Sequence, residues 1–392
     1  MRFRLVLMIV FFVGIFMSVG SVGFACEPAS TTNVCVNINT IEIFDTIQAA
    51  IDDADTLAGH CLVVVSDTCV HETVIVHKSV RIMGEPINQT PVVDGRAAGS
   101  VFSITADNVI IEGLVIENNC SAGGNLHPGI FVQSDNNIIR HNEFKNCFKG
   151  VYLYFNTCGN TVHDNVIHSL CGAYYGIMLA GSNDNIIYSN EITGTDYQGS
   201  GISLTLSSGN EIFANELDKH DYGIFLYNGS NENLIHHNNF LDNSMNAYIE
   251  NQGTPCTGNV WNKPYDSGGN YWSDHSGTDN YRGADQNIPG SDQMIDTPYT
   301  IPGGYGDTDY LPLVSPFVPV CGNVDGSPDH SIDLGDITYL NSYLGLNGAL
   351  PIPPCVADVD GDGNIDLDDS QYLIDFIYNQ GPPPVCPADC CQ

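Results

Sequence analysis

The chain has 392 residues, enough for one large domain and one small one. Asp and Glu outnumber Lys and Arg by 46 to 11, so the formal net charge is −35. That balance argues against nucleic acid and anionic membrane surfaces, and favours a solvated exterior and cation binding. The hydrophobic fraction of 43% is that of a folded protein, so the charge does not signal disorder.

Arg2 and Arg4 precede an apolar run from Leu5 to Val19, and small residues lead to Gly23-Phe24-Ala25 before Cys26. This pattern reads as an export signal over residues 1–25 and predicts a secreted, extracellular protein. A membrane anchor is one alternative. Lipidation at Cys26 is another, although Phe24 fits a lipobox poorly. No other segment is apolar enough to span a membrane. All 14 cysteines lie beyond the cleavage point. An even count in an exported chain predicts disulfides, and the lack of CxxC pairs speaks against zinc.

Residues 26–60 read as an N-terminal cap. Asp45-Thr46-Ile47-Gln48 has the form of a capping box, with Ile47, Ala50, Ile51 and Ala54 on one helical face. Strand-like runs follow at Leu62–Val65, Thr73–Val76 and Val80–Met83.

Repeats then dominate. NIIRHNEF from Asn137, NTVHDNVI from Asn160, NIIYSNEI from Asn185, NEIFANEL from Asn210 and NLIHHNNF from Asn233 share one pattern. The first asparagines lie 23, 25, 25 and 23 residues apart, and each has a second Asn five positions on: Asn142, Asn165, Asn190, Asn215 and Asn238. A degenerate copy starts at Asn108, with Gly113 in the second slot. A further column reads Gly129-IFV, Gly150-VYL, Gly176-IML, Gly201-ISL and Gly223-IFL. Period-two alternation inside short strands, recurring at this interval, predicts stacked rungs that bury one side chain in two. Asn tolerates unusual turn angles, and stacked amides can bond from rung to rung. The fold class is therefore all-β: a right-handed parallel β-helix over residues 61–315, closed by a Gly-, Pro-, Asp- and Tyr-rich C-terminal cap.

These repeats resemble the parallel β-helix proteins of the pectin-lyase-like superfamily. The closest look is to the NosD type, whose founding members assist copper-site assembly. GGNYWSDHSGTDNYRG after the last rung and DTPYTIPGGYGDTDYLPLV at the close carry that second resemblance. It implies a copper role, with His141, His163, His168, His236 and His237 as the imidazoles near the turns.

Residues 316–320 read as a linker. Beyond it, Asp358, Asp360, Asp362, Asp366 and Asp369 stand at positions 1, 3, 5, 9 and 12 of a twelve-residue loop. Asn364 offers its carbonyl at position 7, and Gly363 allows the turn at position 6. Hard oxygens at this spacing suit Ca2+. A second set, Asn323, Asp325, Asp329, Asp333 and Asp336, needs a two-residue insertion and has His330 in place of Gly. An apolar stripe of Tyr372, Leu373, Phe376 and Ile377 follows the downstream loop. The duplicated loop–helix unit over residues 321–392 resembles a type I dockerin. The resemblance implies EF-hand-like calcium binding and a cohesin-like or other protein partner. Leu334-Gly335 and Leu367-Asp368 replace the Ser/Thr pair of many cellulosomal dockerins, and Cys321, Cys355, Cys386, Cys390 and Cys391 stand ready to staple the module.

Alternation turns Phe131, Tyr152, Met178, Ser203, Phe225 and Tyr248 outward on the Gly-initiated strands, with Gln133, Tyr154, Ala180, Thr205, Tyr227 and Glu250 beside them. The aromatic members Phe131, Tyr152, Phe225, Tyr227 and Tyr248 suit sugar rings, and packing under a cap is the plainer alternative. Polar residues precede the same strands, among them His127, Lys149, Tyr174, Tyr175, Tyr197, His220 and Tyr222. Asp196 and Asp221 are the candidate carboxylate pair for a polysaccharide lyase or glycoside hydrolase. The expectation is a secreted β-helix that binds or processes polysaccharide. The alternatives are a non-catalytic scaffold and a copper-binding accessory protein.

Overall fold

A computed structural model of the protein describes residues 34–66, 69–86, 89–118, 127–168, 175–250, 253–387 and 390. The predicted export signal with Cys26, as well as Tyr174 and Cys391, lies outside them. The chain forms two compact units, Met1–Ser182 and Asn183–Gln392, divided inside the repeat array. Among the described residues no helix is long and apolar enough to cross a membrane.

The first unit is a parallel β-solenoid with an antiparallel start. Strand Cys35–Asn37 pairs antiparallel with Glu42–Phe44 and with Cys61–Val64, and every later rung stacks in parallel. Three sheets run up the coil. The first aligns Ile82, Ile111, Ile139 and Val162; the second aligns Val93, Ile116, Phe144 and Ile167. The third aligns Val76, Ile104, Val132, Leu153 and Leu179. All of these side chains are fully buried. Each contributes about 1.5–3 kcal/mol, and each is covered only because the next rung repeats the pattern.

Helix α1, Ile47–Asp52, buries Ile47, Ala50 and Ile51. Thr46 caps it by accepting from the Ala49 amide at 3.0 Å. The predicted capping box does not form. Glu72 accepts the Ile47 and Gln48 amides (2.9 and 2.7 Å), leaving the Gln48 side chain to bond the backbone of Ile75. Ala54 falls beyond the helix and is exposed.

The second unit continues the same architecture, aligning Ile187, Ile212 and Ile235; Ile192, Leu217, Phe240 and Trp272; and Leu204, Leu226 and Ile249. Trp272 stacks between Phe240 (4.3 Å, 1°) and Tyr299 (4.1 Å, 13°), closing the core.

The asparagine ladder is present in both units. In the first, the Asn137 amide and Nδ2 both donate to Asn160 Oδ1 at 2.9 Å, and Asn142 donates to Asn165 in the same way. In the second, Asn185, Asn210, Asn233 and Asn259 form one ladder. Asn190, Asn215, Asn238 and Asn270 form another. Every bond points the same way, so the last member needs an acceptor. Asp309 fills that place: its carboxylate accepts from the Asn270 amide and Trp272 Nε1 at 2.8 Å and from the Leu311 amide at 3.0 Å. The register corrects one assignment. Ile110 pairs with Ile138, so the degenerate rung places Val109 and Leu114, not Asn108 and Gly113, in the ladder slots. Both are fully buried, because an inward column without an amide must be apolar.

The glycine column has a steric cause. A Cβ on Gly150 would sit 2.7 Å from the Gly176 carbonyl oxygen, and one on Gly223 would sit 2.4 Å from that of Asn246. Neighbouring backbones approach too closely there for any side chain.

Helices α2 (Leu334–Leu346) and α3 (Leu367–Asn379) pack around Val324, Leu340, Val359 and Leu373. Disulfides Cys321–Cys386 and Cys355–Cys390 staple this C-terminal module. The segment read as a linker is an anchor: Phe317 is buried with Tyr188, Phe213, Leu313 and Ile352, and its backbone bonds the Asn239 amide at 2.7 and 2.9 Å.

Candidate functional site

The outward face of the third sheet gathers aromatic rings in each unit. In the first, Phe131 and Tyr152 pair across adjacent rungs, with ring centroids 5.4 Å apart. Tyr154 joins both at 5.3 and 5.4 Å and touches Phe155 at 5.0 Å. In the second, Phe225 and Tyr248 are in register, with parallel rings 6.2 Å apart; Tyr227 lies parallel to Phe225, and Tyr222 adds a fourth ring at 5.1 Å. All five sequence-predicted aromatic residues therefore sit in half-exposed patches. The alternation did not place Tyr222 or Lys149 on this face. Both stand just before the column glycine, Lys149 beside the Tyr152 ring and Tyr222 beside those of Phe225 and Tyr248.

Asp196 and Asp221 do not come together in any described contact. Asp196 occupies an exposed left-handed turn (φ 55°). The neighbouring Tyr197 hydroxyl donates to Asp242 at 2.7 Å instead.

A different outward face is covered. Tyr188, Phe213 and His236 stack at 5.1 and 5.2 Å on the first sheet of the second unit. The C-terminal cap and Ile352 of the module bury Tyr188 and Phe213. The Nδ1 atoms of His236 and His237 lie 2.8 Å apart. His237 Nε2 donates to the carbonyls of Ser267 (2.8 Å) and Gly326 (3.3 Å), which ties the last rungs to the first acidic loop. Burial lowers His236 to about 4 and His237 further. Glu211 bonds both His236 and Lys263, and these hold its carboxyl at about 2 against the upward pull of burial. The other imidazoles are dispersed. His163 bonds Asp164 and lies 6.0 Å from the His141 ring, while His168 bonds Glu143.

The acidic loops are built alike. In each, the last Asp accepts the amide of a buried valine and that of the helix N-cap: Asp336 from Val324 and Asp333, Asp369 from Val359 and Asp366. Burial pushes Asp336 up to about 7 and raises Asp369. In the downstream loop, carboxylate oxygens of Asp358, Asp360 and Asp369 lie within 4.8 Å of one another. Asp358 Oδ1 is buried with no hydrogen-bond partner. No lysine or arginine follows Arg282 in the chain, so the module has no such cation of its own to neutralise them. Asp362 holds the Asn364 amide at 2.8 Å. In the upstream loop, Ser327 is a participant that the spacing alone did not reveal. It bonds Asn323, Asp325 and Asp329 together. His330 takes the left-handed position (φ 57°) that glycine takes elsewhere.

Two further groups bring potential ligands together, Cys69–His71–Asp94 and Glu42–Asp53–Asp55. Cys69 is disulfide-bonded, which removes its thiolate. Among the described residues no such group contains two imidazoles.

No curated protein matches this chain. Among solved structures it is similar to XylC in complex with xylose (14% identity, 50% of this chain, 37% of that chain, TM-score 0.38). It is also similar to the A-module of the mannuronan C-5 epimerase AlgE6 of Azotobacter vinelandii (14%, 59%, 74%, 0.33) and to the periplasmic alginate epimerase AlgG (12%, 52%, 69%, 0.25). The chain thus spans well under half of XylC, and at these scores the likenesses carry no functional inference. A family model described as periplasmic copper-binding protein (NosD) matches residues 62–277. That span is more than half of the sequence and takes in the repeat rungs of both units, and on it this chain belongs to the NosD family.

Proposed function

We propose that this protein is an exported glycan-binding β-solenoid carrying a calcium-ordered, dockerin-like module. The observation that carries the reading is the second-unit platform, where Phe225, Tyr227 and Tyr248 hold parallel rings on adjacent rungs. Rungs recur at about 4.8 Å, a spacing on the scale of a sugar unit, and aromatic faces stack on the CH faces of sugars. The test is retention of the full chain on a panel of neutral and acidic polysaccharides, with reducing ends and unsaturated products followed in parallel. Phe225→Ala with Tyr248→Ala is expected to weaken retention at least tenfold. Unchanged retention removes the platform reading, and product formation turns it into an enzyme's subsite.

For the module, Asp358, Asp360, Asp362, Asp366, Asp369 and the Asn364 carbonyl would hold one Ca2+. Asn323, Asp325, Asp329, Asp333 and Asp336 would hold a second. The unpartnered Asp358 oxygen beside two further carboxylates supports this reading. A bound dication would neutralise the cluster and tie each loop to its helix. Leu334 and Leu367, at equivalent first positions of α2 and α3, are 58% and 69% exposed, which suits contact with a cohesin-like partner. The family's description names copper, but the imidazoles present do not fit a shared copper site. His236 and His237 are buried and bonded to each other and to backbone carbonyls.

A further inference from the structure

Lys149 is the anomaly of the first unit. In a chain with net charge −35, this residue is only 9% exposed, yet no hydrogen bond or ion pair reaches its ammonium among the described residues. Aromatic rings surround it instead. Nζ lies 4.4 Å from the Phe148 ring centroid, 5.0 Å from that of Tyr152 and 6.0 Å from that of Tyr175. Ring quadrupoles attract a cation but do not replace its water or a counter-anion. Among the described residues no carboxylate accompanies this ammonium. Tyr152, one of these rings, belongs to the outward Phe131–Tyr152–Tyr154 cluster of the third sheet.

We infer that Lys149, with the rings of Phe148, Tyr152 and Tyr175, forms a subsite for a uronic-acid residue of an acidic polysaccharide. The carboxylate would lie on the ammonium, and the sugar's CH face on a neighbouring ring. This deepens the glycan-binding reading and rests on it. A uronate is chosen because carboxylate and sugar ring sit side by side in one residue, as the cation and rings do here. Burial depresses the Lys149 ammonium to about 8, so the site weakens as pH rises through that value.

The strong global negative charge makes a further expectation specific. Ordinary ion exchange weakens with salt. Here long-range repulsion of a polyuronate is screened while the desolvated contact is not, so affinity should hold or rise between 10 and 150 mM salt.

The experiment compares the full chain, Lys149→Met and Lys149→Arg on polygalacturonate, alginate, a sulfated glycan and a neutral glycan. Lys149→Met removes an unpaired buried charge at similar volume, so it is expected to fold, which its circular dichroism and melting will show. Polyuronate affinity should fall at least tenfold in Lys149→Met and recover in Lys149→Arg, with neutral-glycan affinity unchanged. Recovery in Lys149→Arg should also abolish the pH dependence near 8. Equal polyuronate affinity in Lys149→Met overturns the subsite while leaving the platform reading intact. Preference for the sulfated glycan over both uronates overturns the uronate assignment. Retention on none of the four overturns the glycan reading itself.

Discussion

Asp309 is where a long chain of buried amides ends, so replacing it tests the ladder as a mechanical and electrostatic unit. Asp309→Ala leaves the Asn270 amide, Trp272 Nε1 and the Leu311 amide without their acceptor in a fully buried site. Each orphaned donor costs about 1–3 kcal/mol. Partial relaxation of the cap places the total near the lower half of that sum, about 3–5 kcal/mol. Urea unfolding followed by tryptophan emission is the assay, because Trp261 and Trp272 are the chain's two tryptophans and both are buried in this region. The pH dependence adds a second readout. Burial raises Asp309 from its ordinary 3.8 to about 7, against the pull of the hydrogen bonds it accepts. Between those values the folded protein holds a proton that the unfolded chain has released. This contribution is therefore complete below about 4 and is lost as pH rises through about 7, a change worth about 4 kcal/mol. Asp309→Asn should flatten that slope. A shift under about 0.5 kcal/mol for Asp309→Ala, or an unchanged slope for Asp309→Asn, refutes the reasoning.

Three other outcomes are expected. Calcium at a hundredfold excess over its dissociation constant should stabilise the C-terminal module by about 2.7 kcal/mol. Chelator should remove that gain, Asp358→Asn should abolish the calorimetric signal of the downstream loop, and identical melting of all samples would sink the calcium reading. Gly223→Ala should cost about 3 kcal/mol, because its Cβ would meet the Asn246 carbonyl and the Phe240 ring. Gly345→Ala in α2, where a Cβ meets nothing within 4 Å, should stabilise by about 0.5–1 kcal/mol, and paired urea midpoints decide both. His237→Phe should keep the edge contact with Phe317 but lose the bonds to Ser267 and Gly326, at about 1–3 kcal/mol. Faster proteolysis between residues 321 and 357 is the expected sign, and an unchanged digestion pattern would show that the tie is idle.

Much of the molecule was legible without coordinates, for a physical reason. In a stacked rung the neighbours of each residue are its own counterparts above and below. A column of Ile, Asn or Gly in the sequence is therefore already a set of contacts. The outward alternation that placed Phe131 beside Tyr152, and Phe225 beside Tyr248, rests on the same logic. So does the clustering of Asp358, Asp360 and Asp369 in the downstream loop, which lie within twelve residues of one another in the chain. One slip occurred where the column itself lapsed: with no asparagine to mark the slot, Asn108 was aligned one residue too early.

Contacts with segments that are not repeats were not legible. Tyr188 and Phe213 belong to the same kind of outward column as the exposed rings, but Phe317 and Ile352, more than a hundred residues further on, cover them. Ladder termination by Asp309, the seating of the presumed linker on Asn239, and the binding of Ser267 and Gly326 by His237 all depend on where the cap and module return. So does the lack of a hydrogen-bond or ion-pair partner for Lys149 among the described residues, since a sequence shows which charges exist but not how they are paired. Local periodicity determined the coil, its core and its ladders. Only the tertiary structure decided which of its outer faces remain open to a ligand, because that depends on chain returning from outside the repeat.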